Sequence, residues 1–242
     1  MLGRREPSFN SRHVRKALTM KSAFDMLGAP PSASPDWTAA VRHPWGMMLN
    51  DRLGCCTAAD TGHALMLRTA NAGSIIIPSD DDILHAYIAT SGYDPNYPST
   101  DQGAVESEVC EHNLSAGFLG HKSVMTAPIF TADQIKWAVC LSGSVRLGVN
   151  LPASSDSQFS AGEPWTVVPN SLIEGGHDML AVRYDPQYLY VITWGEVARL
   201  TWDWVHAYLD EAHVELFPDW IRAQGTAPSG LDMQKLEEDL RG

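Results

Sequence analysis

No stretch of this sequence stays apolar long enough to cross a membrane. Glycine, proline or charge breaks every hydrophobic run, whereas a helical span needs about 20 mainly apolar residues. Positive charge is scarce. Lys and Arg number 17 against 29 Asp and Glu, a formal net charge of -12, which argues against a phosphate-binding surface on the body of the protein. Cysteine is scarce as well, with four residues at positions 55, 56, 110 and 140 and no C-x-x-C spacing. Cys110 and His112 come nearest to a zinc pattern, but nothing supplies two further ligands. Neither a metal nor another cofactor is therefore expected. The arginines near the start are not followed by an apolar core, so a secretory leader is not expected. Reduced thiols, in a protein that stays inside the cell that makes it or leaves by lysis, are the expectation.

What is present suits a packed domain. Hydrophobic residues make up 44% of the chain, and its length fits one large domain or two small ones. Residues 1–21 carry six basic side chains against one acidic, so they form a basic arm, which a Pro/Ser/Ala linker ("GAPPSASP") closes at about residue 35. The arm reads as a solvated or docked tail, or as a contact to nucleic acid or an acidic partner. Residues 36–218 read as the body and 219–242 as an acidic tail. Four helical segments come first: "CCTAADTGHALMLRTANAG", "PSDDDILHAYIATSG" with Ser79 as cap, "GAVESEVCEHNLSAG", and "TADQIKWAVCLSG". The period then changes. "SVRLGVNL" alternates as a half-buried strand, and "GHDMLAVRYD" with "QYLYVITWG" reads as a hairpin turning at "DPQ". "TWDWVHAYLDEA" returns to helical spacing, and "HVELF" closes as a strand. The order predicts an α+β protein, a helical half packed on an antiparallel sheet half. No internal repeat is visible.

Two cysteines lie side by side in "NDRLGCCTAAD". A vicinal disulfide would strain the intervening peptide. The position is better suited to a nucleophile, because a helix N-terminus stabilises a thiolate in its first turn. Cys55 falls at or just before the helix start and Cys56 falls in the first turn, while Gly54 lets other atoms approach. A nucleophile needs a base. His177 follows two glycines at the start of an apolar strand, which exposes one side of an imidazole and fixes the other. His63 and His85 read as helix-face residues.

This arrangement resembles the papain-like cysteine peptidases, in which a cysteine opens the central helix in a G-x-C-[WY]-A context and a histidine follows on a distant sheet. Gly54, Cys55, Cys56, Thr57 and Ala58 stand in that context, with Thr57 replacing the aromatic residue. "GGHDMLAVRYD…YLYVITWG" is similar to the family's G-H-A-[VL] strand and N-S-W-G hairpin. The chain also resembles uncharacterised phage and prophage proteins that share an N-D-x-x-G-x-C-T start and a T-D-x-G loop, here Asn50–Thr57 and Thr100–Gly103. The resemblance spans roughly residues 37–216.

It implies a cysteine hydrolase acting on a peptide or protein, with Cys56 as nucleophile and His177 as base. Asn50, six residues before Cys56, takes the place of the family's oxyanion-hole glutamine. Gly103 takes that of the glycine that pairs with extended substrate, and Trp194 that of the tryptophan shielding the dyad. One departure stands out: Ile192 occupies the slot of the histidine-orienting asparagine, and isoleucine cannot hydrogen-bond an imidazole. Thr193 serves instead only if the strand register differs by one, which would flip its facing. The resemblance leaves a rival from another class, a papain-fold structural or interaction protein of a virion or homo-oligomer, with its arm docking neighbouring subunits. A thiol-dependent transferase or deamidase on the same dyad is a third reading.

Overall fold

The computed structural model describes residues 2–7 and 28–220. Its helices begin where the sequence offers caps. Helix α1 (Cys56–Asn71) has Cys55 as N-cap with no side-chain cap bond, which leaves its first N–H groups unclaimed by that side chain. Every residue from Cys56 to Thr69 is buried, so α1 is a central helix and not a surface one. Small residues permit this: a Cβ on Gly62 would sit 2.5 Å from the Met48 sulfur and 2.7 Å from Ile83 Cδ1. Helix α2 (Asp80–Ser91) opens on a reciprocal capping box between Ser79 and Asp82 and stops at Gly92. Helix α3 is Glu106–Ser115. Helix α4 (Ala132–Ser142) repeats the box with Thr131 and Gln134. Each such cap stabilises its helix by about 1 kcal/mol. Two short helices complete the set among the described residues, α5 (Ser154–Ser160) and α6 (Trp202–Tyr208).

The strands are β1 (Met125–Pro128), β2 (Val145–Pro152), β3 (Ile173–Tyr184), β4 (Tyr188–Thr193), β5 (Glu196–Thr201) and β6 (Leu209–Leu216). They form one antiparallel sheet in the order β1-β6-β2-β3-β4-β5. The α+β expectation, helices first and sheet second, is met. The β3–β4 hairpin turns at Asp185, whose carboxylate accepts the Gln187 and Tyr188 N–H groups at 2.8 Å. Three elements went unread in the sequence: β1, α5 and β5. Two expectations are corrected. Strand β2 is not half-buried; only Asn150 is partly exposed, because Val145, Leu147, Val149 and Leu151 enter the apolar core while Arg146 is buried among carboxylates. The segment read as one helix through Ala212 ends at Tyr208, and the last strand starts at Leu209, well before "HVELF".

The proposed boundaries fall within well-packed chain. Tyr184 OH donates to Pro31 O at 2.9 Å, and Ser34 N–H donates to Tyr184 O at 3.0 Å, so the linker docks on the sheet. Trp220 is buried edge-on against Trp37 at 5.0 Å, so the packed body reaches at least this residue. The rest of the acidic tail, and residues 8–27 of the arm, lie outside the described residues. Among the described residues no helix is long and apolar enough to cross a membrane.

Candidate active site

The two adjacent cysteines face different ways. Cys55 Sγ lies 3.5 Å from Met48 O, inside the core beneath α1 and α2. The Cys56 sulfur instead meets the backbone N–H groups of Asp178 and Gly3. Asp178 directly follows His177, so the first turn of α1 abuts the strand that carries the histidine. The loop before Cys56 is held from below. Gly54 N–H donates to both oxygens of Asp101, at 3.0 and 3.1 Å. Tyr87 OH donates to the same carboxylate, and it accepts the Gly103 N–H at 2.9 Å. Asp101 and Tyr87 thus lock the glycine before the thiol to the glycine across the groove.

His177 is fully buried on β3. Its Nε2 lies 2.8 Å from Thr193 Oγ1. The Trp194 ring stacks on the imidazole with centroids 4.9 Å apart and planes 25° from parallel. Ile192 keeps its register with Leu180 and is buried. The register between β3 and β4 does shift by one, at a bulge between Ala181 and Arg183, and this places Thr193 on the face that carries His177. Thr193 ends β4, and Trp194 and Gly195 make the two-residue turn to β5 with φ of 48° and 77°. Alternation then holds to the end of the strand: Ile192 shares the face of Leu180, and Thr193 shares the opposite face with His177.

Burial dominates the electrostatics. It pushes the Cys56 thiol up to about 12, opposed by the backbone N–H groups that point at the sulfur. It pushes His177 down to about 3, with the Arg4 guanidinium adding in the same sense. Both groups are therefore neutral at pH 7. His177 Nδ1 is buried without a hydrogen-bond partner among the described residues, so no hydrogen bond joins it to Cys56 in this state.

The N-terminal residues occupy the groove. Arg4 N–H donates to Gly176 O at 3.2 Å, Arg5 N–H to Ala104 O at 2.8 Å, and Ala104 N–H to Gly3 O at 2.8 Å. Missing side chains make this approach possible. A Cβ on Gly103 would sit 1.8 Å from Gly3 O, and one on Gly176 would sit 2.5 Å from Arg4 O. Leu2 reaches a hollow lined by Met47, Phe159 and Trp194. Of the two forms read for the arm, solvated or docked, its first residues take the docked one, because Arg4 is buried.

No family model matches the sequence, and no curated protein does. Solved structures do match. Xylellain, a cysteine protease from Xylella fastidiosa, superposes with a TM-score of 0.66 at 15% identity, over 89% of this chain and 95% of that one. A procathepsin L 3 from the larval midgut of Tenebrio molitor gives 0.56 at 11% identity, over 77% and 70% of the two chains. A cysteine protease of Carica candamarcensis gives 0.55 at 11% identity, over 77% and 98%. The fold is papain-like.

Within this papain-like frame, Cys56 opens the central helix and His177, Thr193 and Trp194 cluster on the sheet beside it. Gly103 lies in the groove, against the arm. Asn50 is buried in the turn before α1, where Met48 and Leu49 adopt φ of 51° and 65°. His63 is a structural residue: its Nε2 lies 3.1 Å from Gly46 O, and burial lowers it to about 4. Cys110 and Cys140 are buried free thiols.

Sequence reasoning missed a buried charge network behind the site. Arg146 Nη1 donates to Thr57 O at 2.9 Å and to Asp178 Oδ2 at 2.7 Å, and Nη2 donates to Thr61 Oγ1 at 2.8 Å. Asp60 lies 2.9 Å from the same guanidinium. One side chain thus ties the residue after Cys56 to the residue after His177. The available signal was an arginine inside an apolar strand, since a charge there is almost never fully buried unless paired.

Proposed function

We propose that this chain is a papain-like cysteine hydrolase that cleaves peptide or related amide bonds with Cys56 and His177. The observation that carries the reading is an extended peptide, residues 2–5, lying across the sulfur between Gly54, Gly103 and Gly176. The groove is built to hold main chain.

The Thr193 contact suits a tautomer in which Nε2–H donates to Oγ1, leaving the Nδ1 lone pair to take the thiol proton. The thiolate attacks the carbonyl carbon, and negative charge develops on its oxygen. The Cys56 N–H and the Asn50 amide are the proposed donors to that oxygen. His177 returns the proton to the leaving nitrogen as the C–N bond breaks. A water molecule then gives its proton to His177, attacks the thioester carbon and releases the acid, and the sulfur recovers its proton. Trp194 covers the imidazole and keeps water from its face. In the state described, the arm displaces substrate and both groups are neutral, so the chain rests in a latent form.

The test uses the full chain. A Cβ on Gly3 would sit 1.7 Å from Gly54 O, so Gly3→Val evicts the arm. That variant is expected to hydrolyse casein, and Gly3→Val/Cys56→Ser is expected not to. Turnover that survives Cys56→Ser contradicts the assignment. A second reading, a papain-fold interaction or virion protein without chemistry, is favoured by Ile192 and by the unpartnered Nδ1. It predicts no turnover by the arm-free variant while Cys56 is intact.

A further inference from the structure

Arg4 is anchored by its side chain as well as by its backbone. Its Nη2 lies 2.7 Å from Asp210 Oδ2 and its Nη1 lies 2.8 Å from Glu211 Oε1. Nη1 also donates to Arg5 O at 3.2 Å, and Nη2 to Asn150 Oδ1 at 3.5 Å. The guanidinium side chain is 1% exposed and that of Glu211 0%. The carboxylates belong to the body, on β6, more than 200 residues from the arm. Gly148 forms the floor. A Cβ there would sit 2.6 Å from Glu211 Cγ and 2.7 Å from both Arg4 Cδ and Glu106 Oε2. The pocket therefore exists because β2 has no side chain at that position.

The body does not neutralise this pocket by itself. Arg146 is engaged with Asp60 and Asp178. His213 lies 2.8 Å from Glu106 and 3.9 Å from Glu211. Removing Arg4 leaves Glu211 buried without its closest cation, so the carboxyl must either hold a proton or take another cation in its place. A planar fork satisfies the geometry, because two nitrogens of one group must reach two carboxylates at once, and an ammonium offers a single atom.

We propose that this pocket is an arginine-binding subsite: the groove accepts an extended peptide with arginine next to the residue lying at Cys56, and Arg4 is the resting occupant. The inference rests on the reading of the groove as a peptide site, not on turnover.

Binding tests it separately from catalysis. Fluorescein-labelled peptides of the arm sequence Met-Leu-Gly-Arg-Arg-Glu-Pro, and the same peptide with lysine, leucine or glutamate as fourth residue, are titrated by anisotropy into the full-length Gly3→Val/Cys56→Ser chain. The arginine peptide is expected to bind roughly thirtyfold or more tightly than the leucine peptide, as a desolvated charge pair requires. Asp210→Asn, at a partly exposed position where folding is not at stake, and Glu211→Gln are each expected to reduce that preference. Equal binding of the arginine and leucine peptides overturns the proposal, as does the failure of every peptide to bind. A preference unchanged in both carboxylate variants overturns it too. Hydrolysis by the Gly3→Val chain is scored independently and bears only on Cys56 and His177.

Discussion

Thr193 and Trp194 hold His177 by different means, a hydroxyl at one ring nitrogen and an indole on one ring face. Replacing an orienting aspartate in a serine triad lowers kcat by about 10,000-fold. A neutral hydroxyl holds less, so Thr193→Val in the arm-free chain should lower kcat by about tenfold to a hundredfold with KM little changed, and Thr193→Ser should restore most of the loss. Steady-state kinetics on one peptide substrate checks this. A kcat equal to that of the parent would remove Thr193 from the mechanism. At this scale the sequence was partly legible. Glycines mark Cys56 and His177 because main chain must come close there. Thr193 was harder to assign, since it shares the face of His177 only because a bulge between Ala181 and Arg183 shifts the hairpin register by one, and no local pattern marks that bulge. Asp101 stood in the T-D-x-G loop and Tyr87 carried no local signature, and the role they share was not legible because it depends on a groove that brings two distant loops together.

Strand β2 joins the two halves of the molecule through one side chain. Arg146 meets Thr57, Asp60 and Thr61 on α1 and Asp178 on β3, so it fixes the distance from the nucleophile helix to the histidine strand. Arg146→Met would leave these carboxylates buried and unpaired. The expected loss of stability is about 3–5 kcal/mol, read from urea unfolding followed by tryptophan fluorescence. A loss below about 1 kcal/mol would mean that the network is not strongly coupled. Alternation in "SVRLGVNL" correctly gave a strand but not its burial. Period two reports that the faces differ, and here one face is apolar and the other a buried ionic layer. The capped helices were legible because Ser79 and Thr131 act locally. β1 and α5 were not, because tertiary packing and not local pattern defines such short segments.

At the scale of the whole molecule, the arm and the buried charges set how stability responds to pH. Burial raises Glu211 to about 7 against an ordinary 4.5, despite the opposing pull of Arg4. Asp178 is raised to about 6 from 3.8 for the same reason. The folded chain keeps these protons while the unfolded chain releases them, so both groups erode stability as pH rises through those windows. His177 and His63, held near 3 and 4 against an ordinary 6.5, act in the opposite direction: stability falls as pH drops below 6.5. Glu211→Gln removes one erosion. The melting-temperature advantage of the parent chain over Glu211→Gln should therefore shrink as pH rises from about 4.5 to about 7 and then level off. An advantage that grows over this range contradicts the assigned burial. The sequence disclosed a basic arm and an acidic body, but not that four glycines clear a path by which one meets the other.

The central claim is that Cys56 and His177 form a nucleophile and base covered by the arm, and iodoacetamide labelling of Cys56 against pH, read by peptide mass, tests it most directly. The intact chain should resist labelling at neutral pH, since burial holds the thiol near 12. The Gly3→Val chain should react with a midpoint well below the ordinary thiol value of about 8.5, and adding His177→Ala should raise that midpoint. If Cys56 in the arm-free chain titrates as an ordinary thiol, and His177→Ala leaves it unchanged, the two side chains do not work together and the account fails.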